Sequence, residues 1–583
     1  MPASRAATRS DDALLTNAGI ARVFREIGDM LEILGEVVYK AVAYRRVADA
    51  IERWPDDVAS LYRRGSPPKI PGAGSALSAK LAELAATGEL EYHDRLRAQV
   101  PSGLLEILEV PGVGPRTVKL LHDELRVDSV DALRAAAEAG SLRGLKGLSA
   151  RTEENILASI ARLAERGTRL LLHDADALVA RLIAQLADVH GLRRIEPAGS
   201  LRRRRPTIGD LDLLAATDDP AALIAAFDRL PDVERVLSAG TDKSSVLVAG
   251  GRQVDLMVCP PAAWGTHMVH FTGSRDHNVV LRQRALARGL SLSEKGFKLV
   301  ESGELQPEAT EQAVYARLDL PCIPPELRED QGEVRAAESG QLPELVTMDA
   351  IRGDTHVHSD WTDGVDSIEA MARACRALGR SWMVLTDHSP SLGITRGLSP
   401  ERIAEQHAEI QRLNRELKPF RILHGTELEI RADGTLDYSD DLLAGFDVVV
   451  ASIHTGRGQP SEQLTSRTLA AIENEHVDVI AHPTGRIVNR RDPVTLDWPR
   501  VFEAAARTGT ALELNGSPRL DLDDALARAA GQAGVRLSVA SDAHRTEELD
   551  QLRYAVDMAR RAWLTASQVL GTRTAAGLLG SVR

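Results

Sequence analysis

Residues 353–364 read GDTHVHSDWTDG. His356 and His358 are one residue apart, so in a strand both side chains lie on one face, and Asp363 follows in the next turn. Working outward, the pattern recurs. Short apolar runs end in a polar residue in WMVLTDH (382–388), RILHGTELEI (421–430), VVVASIH (448–454), DVIAHP (478–483), ALELNG (511–516) and RLSVASDAH (536–544). These are about seven strand ends alternating with helical segments. In an α/β barrel that edge of the strands forms the mouth where active sites sit.

The polar residues of this series are His356, His358, Asp363, His388, Glu427, His454, His482, Asp542 and His544. Imidazole nitrogen and carboxylate oxygen suit Mn²⁺, Fe²⁺ or Zn²⁺, and nine ligands are too many for one tetrahedral ion. Three clustered ions would activate a water and clamp a phosphate oxygen, which is phosphoester hydrolysis. Asp387 and Glu429 flank the series, either behind the ligands or facing away from them.

A second constellation lies upstream. In DLDLLAA (210–216), Asp210 and Asp212 share one face of a strand-like run, and RQVDLMV (252–258) brings Asp255. Three carboxylates at one edge would hold two divalent ions, one lowering the pKa of an attacking hydroxyl and the other neutralising phosphate oxygens. GSLRR (199–203) precedes them, with Gly199 for close approach, Ser200 as a donor, and Arg202 and Arg203 as phosphate forks.

Two stretches nearer the start share one form: IPGAGSALSAKLAEL (70–84) and VPGVGPRTVKLL (110–121) each place a proline and a Gly-x-Gly turn before a helix. Gly72, Gly74, Gly112 and Gly114 would let backbone N–H groups meet a DNA phosphate without reading a base. GLKGLSARTEENI (144–156) is a weaker copy. Lys80 lies in the helix after the first turn, where a lysine of lowered pKa would form a Schiff base with an aldehyde.

The chain has 583 residues, enough for several domains. Its three cysteines have no paired spacing, which argues against a disulfide framework or a thiolate zinc ribbon. No apolar run is long enough to span a bilayer, and a soluble, cytoplasmic, nucleoid-associated monomer is expected. The net charge of −13 keeps DNA off most of the surface, so local basic elements such as Arg202–Arg205 and Lys40 with Arg45 and Arg46 would define its track.

The Gly-Ser motif with Asp210, Asp212 and Asp255 resembles the nucleotidyltransferase palm of family X DNA polymerases, and the resemblance runs from about residue 15 to 325. It implies attack of a primer 3′-hydroxyl on the α-phosphate of a dNTP, with Mg²⁺ or Mn²⁺ at the palm. Asp255 would accept the hydroxyl proton, and Ser200 and Arg203 would contact the leaving phosphates. HFTGSRDHN (270–278) resembles the family's nucleotide-pocket motif. Phe271 would lie under the sugar, Gly273 would permit close approach, Asn278 would meet the nascent base pair and Arg282 the template side. His270 replaces the usual tyrosine, which leaves exclusion of ribonucleotides open. Lys80 falls on the family's Schiff-base lysine and Lys40 on a lysine near the 5′-phosphate, within an element that includes Tyr44 and Arg45. Ala76 and Ala79 stand where related lyases often carry Lys and Glu.

The series at the strand ends resembles the PHP (polymerase and histidinol phosphatase) domain, which implies a seven-stranded distorted α/β barrel with three ions. The combination resembles bacterial family X polymerases with a C-terminal PHP domain. Expected domains are a helical lyase-like DNA-binding domain (1–95), helix-hairpin-helix fingers (96–165), an α+β palm (166–262), a nucleotide-binding thumb (263–330), a linker (331–350) and the PHP domain (351–583). The expected function is gap-filling DNA repair synthesis on gapped or nicked DNA, with Mn²⁺-favoured 3′–5′ exonuclease activity; abasic-site cleavage and 3′-phosphate removal stay open. Two other readings are a PHP phosphatase of small metabolites with a nucleotide-sensing first half, and a noncatalytic DNA-bridging protein.

Overall fold

The computed structural model describes residues 17–582 apart from 53, 55–57, 89, 98, 109, 111–112 and 393–394. The chain divides into two compact units, Met1–Gly167 and Thr168–Arg583. No helix among the described residues is long and apolar enough to cross a membrane.

The first unit is helical. Ile20, Phe24 and Ile27 recur at helical spacing on Asn17–Ile33, and they are buried against Val47 and Ile51 of the helix Val38–Glu52. The glycine turns become helix starts, with Gly74 as the N-cap of Ser75–Thr87 and Gly114 as the N-cap of Pro115–Leu125, where proline opens the first turn. Gly112 lies outside the described residues.

The second unit contains two main sheets. Strands β1 (Leu192–Pro197), β2 (Leu211–Thr217), β3 (Val233–Ala239), β4 (Lys243–Val248) and β5 (Arg252–Cys259) run in the order β1-β2-β5-β4-β3. The central pair is parallel, with Asp212 directly beside Asp255. The helices Trp264–Thr272 and Arg275–Leu286 follow, then a three-stranded antiparallel sheet.

Strands β6 (Gly353–Val357), β7 (Trp382–Leu385), β8 (Arg421–Glu429), β9 (Val448–Ser452), β10 (Val479–Ile480), β11 (Ala511–Asn515) and β12 (Leu537–Ala540) form one parallel sheet in chain order. Asp542 N donates to His356 O at 3.1 Å and His358 N to Ala543 O at 2.9 Å, so the first and last strands meet and the barrel nearly closes. Apart from Arg421 at the start of β8, these strands are buried throughout, as expected when helices cover a parallel sheet. Side chains must therefore emerge at the strand ends to reach a ligand.

The stretch 331–350, expected as a linker, is packed structure instead. It carries the helix Glu333–Glu338, whose Val334 and Ala337 join an apolar cluster with Leu281 and Tyr315. The partners of its charges are remote in sequence: buried Glu333 lies 2.6 Å from His277 Nδ1, and Arg284 pairs with Glu338.

Candidate active sites

At the palm, the alternation of β2 sends Asp212 to the face opposite its apolar neighbours Leu211 and Leu213, and parallel pairing sets it beside Asp255. Gly199 has φ +55°, and a Cβ there would lie 2.0 Å from Asp212 Oδ2, so only glycine leaves room for this carboxylate. Burial, followed by repulsion from Asp210 and Asp255, pushes Asp212 up to about 7. Burial would also raise Asp255, but hydrogen bonds from Lys243, Gln253 and Ser245 bring it below its ordinary value. Lys243 Nζ stands 2.7 Å from Asp255 Oδ2, and Gln253 Nε2 2.9 Å from Oδ1. Asp210 is exposed just before β2, and Ser200 lies on the short helix Gly199–Arg202.

The arginine run is committed largely to protein partners. Arg202 forms a two-pronged pair with Glu311 at 2.9 and 2.6 Å and donates to Thr272 Oγ1 at 2.7 Å. Arg203 donates from Nη1 to Thr272 O at 2.5 Å and from Nε to Glu329 at 3.1 Å. Arg204 is held between Asp176 and Asp557. Arg202 thus braces the segment that carries the thumb motif, where a phosphate fork had been expected.

His270, Asn278 and Arg282 line one small cavity with Thr266 and Leu292. Asn278 Nδ2 donates to His270 O at 2.7 Å, Arg282 Nη2 lies 3.3 Å from His270 Nδ1, and Phe271 meets His270 edge to face with centroids 4.9 Å apart. Gly273, at φ +72°, ends the helix against Arg203, whose Nη1 would be 3.0 Å from an added Cβ.

At the barrel mouth all nine residues of the series come together. His356 Nε2 and His358 Nε2 lie 3.0 Å apart, and each is 3.5 Å from Glu427 Oε2. Glu427 is the hub, 3.0 Å from His388 Nδ1, 3.0 Å from His482 Nε2 and 3.3 Å from His454 Nε2. Asp363 lies 3.3 Å from His388 and 3.5 Å from His544, and Asp542 Oδ1 is 3.5 Å from His358 Nε2. Three groups have ligand atoms within 4.8 Å of one another: His358, Asp363, His388 and His544; His356, His358 and Glu427; and His388, Glu427 and His454. His482 and Asp542 sit in the left-handed region, at φ +28° and +57°, a strained conformation that packed functional sites sustain.

The donor set fits metal ions. Glu513 Oε2 lies 2.7 Å from His356 Nδ1, which fixes that nitrogen as the donor and turns Nε2 toward the cluster, where a cation would displace its proton. Glu429 takes the same part for His454, 2.9 Å from its Nδ1. Asp387 instead accepts from Ser359, Thr362 and Gln406, behind the ligands. Against the cost of burial, Glu513 and Glu427 raise His356, and Glu427 and Asp363 raise His388, both well above ordinary values. The cluster therefore attracts cations.

In the helical unit, Lys80 Nζ lies 4.6 Å over the Tyr92 ring, which stacks on Tyr44 with centroids 6.1 Å apart. Lys40 is exposed and paired with Glu36 at 2.9 Å, whereas Arg45 is taken by Asp29 and Glu32. Gly72 has φ +82°, with Arg46 packed on it.

Sequence reasoning missed Lys243 and Glu513. Glu513 falls in a strand already read as ending at the mouth, two residues before Asn515, so its periodicity was an available signal. Lys243 offered none, because its relation to Asp255 exists only across the paired strands β4 and β5.

Comparison with known proteins agrees with this architecture. Residues 15–90 match the helix-hairpin-helix domain, 104–162 the SAM-like helix-hairpin-helix tandem, 267–329 the DNA polymerase beta thumb and 354–516 the PHP domain. DNA polymerase/3′-5′ exonuclease PolX of Bacillus subtilis (strain 168) is 38% identical over 95% of this chain and 97% of its own. A probable phosphatase of Thermoanaerobacter sp. (strain X514) is 28% identical over 38% of this chain and 89% of its own. DNA polymerase lambda of Rattus norvegicus is 24% identical over 52% of this chain and 56% of its own. With a relative this similar from end to end, the chain belongs to the bacterial PolX family, the family X DNA polymerases that carry a C-terminal PHP domain.

Proposed function

We propose that the palm adds dNTPs to a primer 3′ end in gapped or nicked DNA and that the PHP barrel removes nucleotides from such an end in the 3′ to 5′ direction. One observation carries this reading: one chain holds both Asp212 and Asp255 side by side on β2 and β5 and a histidine-rich ring of candidate metal ligands at the barrel mouth. The PolX relative, whose name joins both activities, supports it. A phosphatase of small metabolites accounts for the barrel alone and leaves the register of Asp212 with Asp255 without a purpose.

Asp210, Asp212 and Asp255 would hold Mg²⁺ or Mn²⁺, and the nine barrel residues would hold three ions of Mn²⁺, Zn²⁺ or Fe²⁺, supplying Lewis acidity that activates the attacking oxygen and neutralises phosphate charge. The chain's own groups position the reactants. Gly199 admits Asp212, and Lys243 steadies Asp255 as acceptor of the primer hydroxyl proton. Phe271, Gly273, Asn278 and Arg282 frame the nucleotide, with Ser200 and Arg203 toward the leaving phosphates. At the barrel, Glu513 and Glu429 fix the tautomers of His356 and His454. Lys40 and the glycine turns serve DNA binding, and Lys80 is the candidate Schiff-base lysine, tested by borohydride trapping on incised abasic DNA and its loss in Lys80→Ala.

The deciding assay uses a gapped duplex with dNTPs and Mg²⁺ or Mn²⁺. Asp255→Ala should abolish extension and spare end trimming, and His358→Ala should do the reverse. Loss of both chemistries from either substitution in a folded protein would overturn the reading.

A further inference from the structure

Three arginines lie close together at the barrel mouth, and of these only Arg519 has a carboxylate partner among the described residues. Arg457 follows His454, Arg491 follows His482, and Arg519 follows Asn515, each in the loop leaving its strand. Arg457 Nη2 lies 3.4 Å from Thr484 O, and its Nη1 is so close to Gly485 that an added Cβ would stand 1.5 Å away. Arg491 Nε donates to Gly485 O at 2.9 Å. Arg519 Nε is 3.4 Å from Asp542 Oδ2, at the edge of the candidate ligand ring.

Both Arg457 and Arg491 thus converge on the turn at 484–485, just beyond His482. Among the described residues neither forms an ion pair, and their hydrogen bonds go to main-chain carbonyls. The nearby acid, Asp521, is buried and accepts from Thr484 N, Thr484 Oγ1 and Arg486 N. Burial, then the charges of Arg457 and Arg519, push Arg491 down to about 10. Gathering like charges beside a buried ring is unfavourable unless an anion completes it, and arginine matches the oxygens of a phosphate.

We infer that Arg457, Arg491 and Arg519 clamp a second backbone phosphate of the DNA strand whose 3′ end lies on the barrel ligands. The clamp makes the site select a polynucleotide over a small phosphate ester. Arg519, beside Asp542, faces the end being cut, and Arg457 with Arg491 hold the strand further back. This inference rests on the proposed reading of the barrel as a phosphodiester hydrolase.

The test compares two substrates in Mn²⁺: a labelled single-stranded oligonucleotide, and thymidine 5′-monophosphate p-nitrophenyl ester, a phosphodiester with no second phosphate. In full-length R457A/R491A, kcat/KM on the oligonucleotide should fall about 10- to 100-fold, mainly through KM, the scale expected for lost charge-assisted hydrogen bonds. The salt dependence of that KM should flatten by about one to two in log–log slope. Hydrolysis of the ester should change less than about threefold, and R457K/R491K should recover much of the oligonucleotide KM. Extension of gapped DNA by the same preparation reports that it is folded. Equal losses on both substrates, or an unchanged oligonucleotide KM, would overturn the clamp. Wild-type protein that cleaved neither substrate would overturn the reading of the barrel itself, and the clamp with it.

Discussion

Replacing Gly199 with alanine adds one methyl group and should disable one chemistry only. The new Cβ would stand 2.0 Å from Asp212 Oδ2 and 3.0 Å from its Cγ, well inside van der Waals contact. Gly199 also has φ +55°, where an L-residue costs about 1–2 kcal/mol. The backbone here is fixed by Ala198 N donating to Asp212 O at 2.8 Å, so relief must come from the carboxylate, displaced by about 1 Å or more. A displacement of that size in a reacting group costs about 10²-fold in rate. Single-nucleotide extension of a gapped duplex under single-turnover conditions should therefore fall about 10²-fold or more. Oligonucleotide trimming by the same protein should stay within about twofold, since the three atoms nearest the added Cβ all belong to Asp212. Extension within about threefold of wild type would refute the reasoning, as would equal loss of both activities.

Other consequences follow from charge. In chelator, Asp212 is held up to about 7, against about 3.9 in an unfolded chain, so its burial costs nothing below pH 4 and destabilises the fold progressively as pH rises to 7. Asp212→Asn should thus raise the unfolding free energy from urea titration at pH 8, by at most about 4 kcal/mol, and leave it unchanged at pH 4; a change independent of pH would contradict this. At the barrel, His544 is raised to about 9, with His356 and His388 also raised, so the metal-free ring carries protons at neutral pH. Adding Mn²⁺ in weak buffer at pH 7.5 should release about one or more protons per chain, seen with an indicator dye, and binding without release would argue against this ligand set. Arg204 joins Asp176 and Asp557, which are remote from each other in sequence, in a half-buried ion-pair cluster. Arg204→Ala should cost about 1–3 kcal/mol in urea unfolding, and an unchanged midpoint would show that the cluster contributes nothing.

Local patterns in the sequence translated well into structure. The gathering of the nine polar residues at the barrel mouth was legible because buried parallel strands read as apolar runs, and polar residues at their ends have only the mouth to face. The N-caps Gly74 and Gly114 were legible because capping is decided within one turn. What stayed hidden depends on partners far along the chain. Arg202 and Arg203 read as phosphate forks and Arg204 only as part of a basic run, and their protein partners Glu311, Glu329 and Asp557 were hidden because they are 109, 126 and 353 residues away. The stretch 331–350 read as a linker for the same reason, its charges being paired with His277 and Arg284. Glu513 looked like any acidic residue between leucines until folding set it against His356.

Anomalous diffraction from crystals of the full chain soaked in Mn²⁺ tests the two-site account most directly. It should give peaks at the carboxylates of Asp212 and Asp255 and a separate cluster of peaks ringed by His356, His358, His388 and Glu427. Density that left either place bare while Mn²⁺ occupied the other would contradict it.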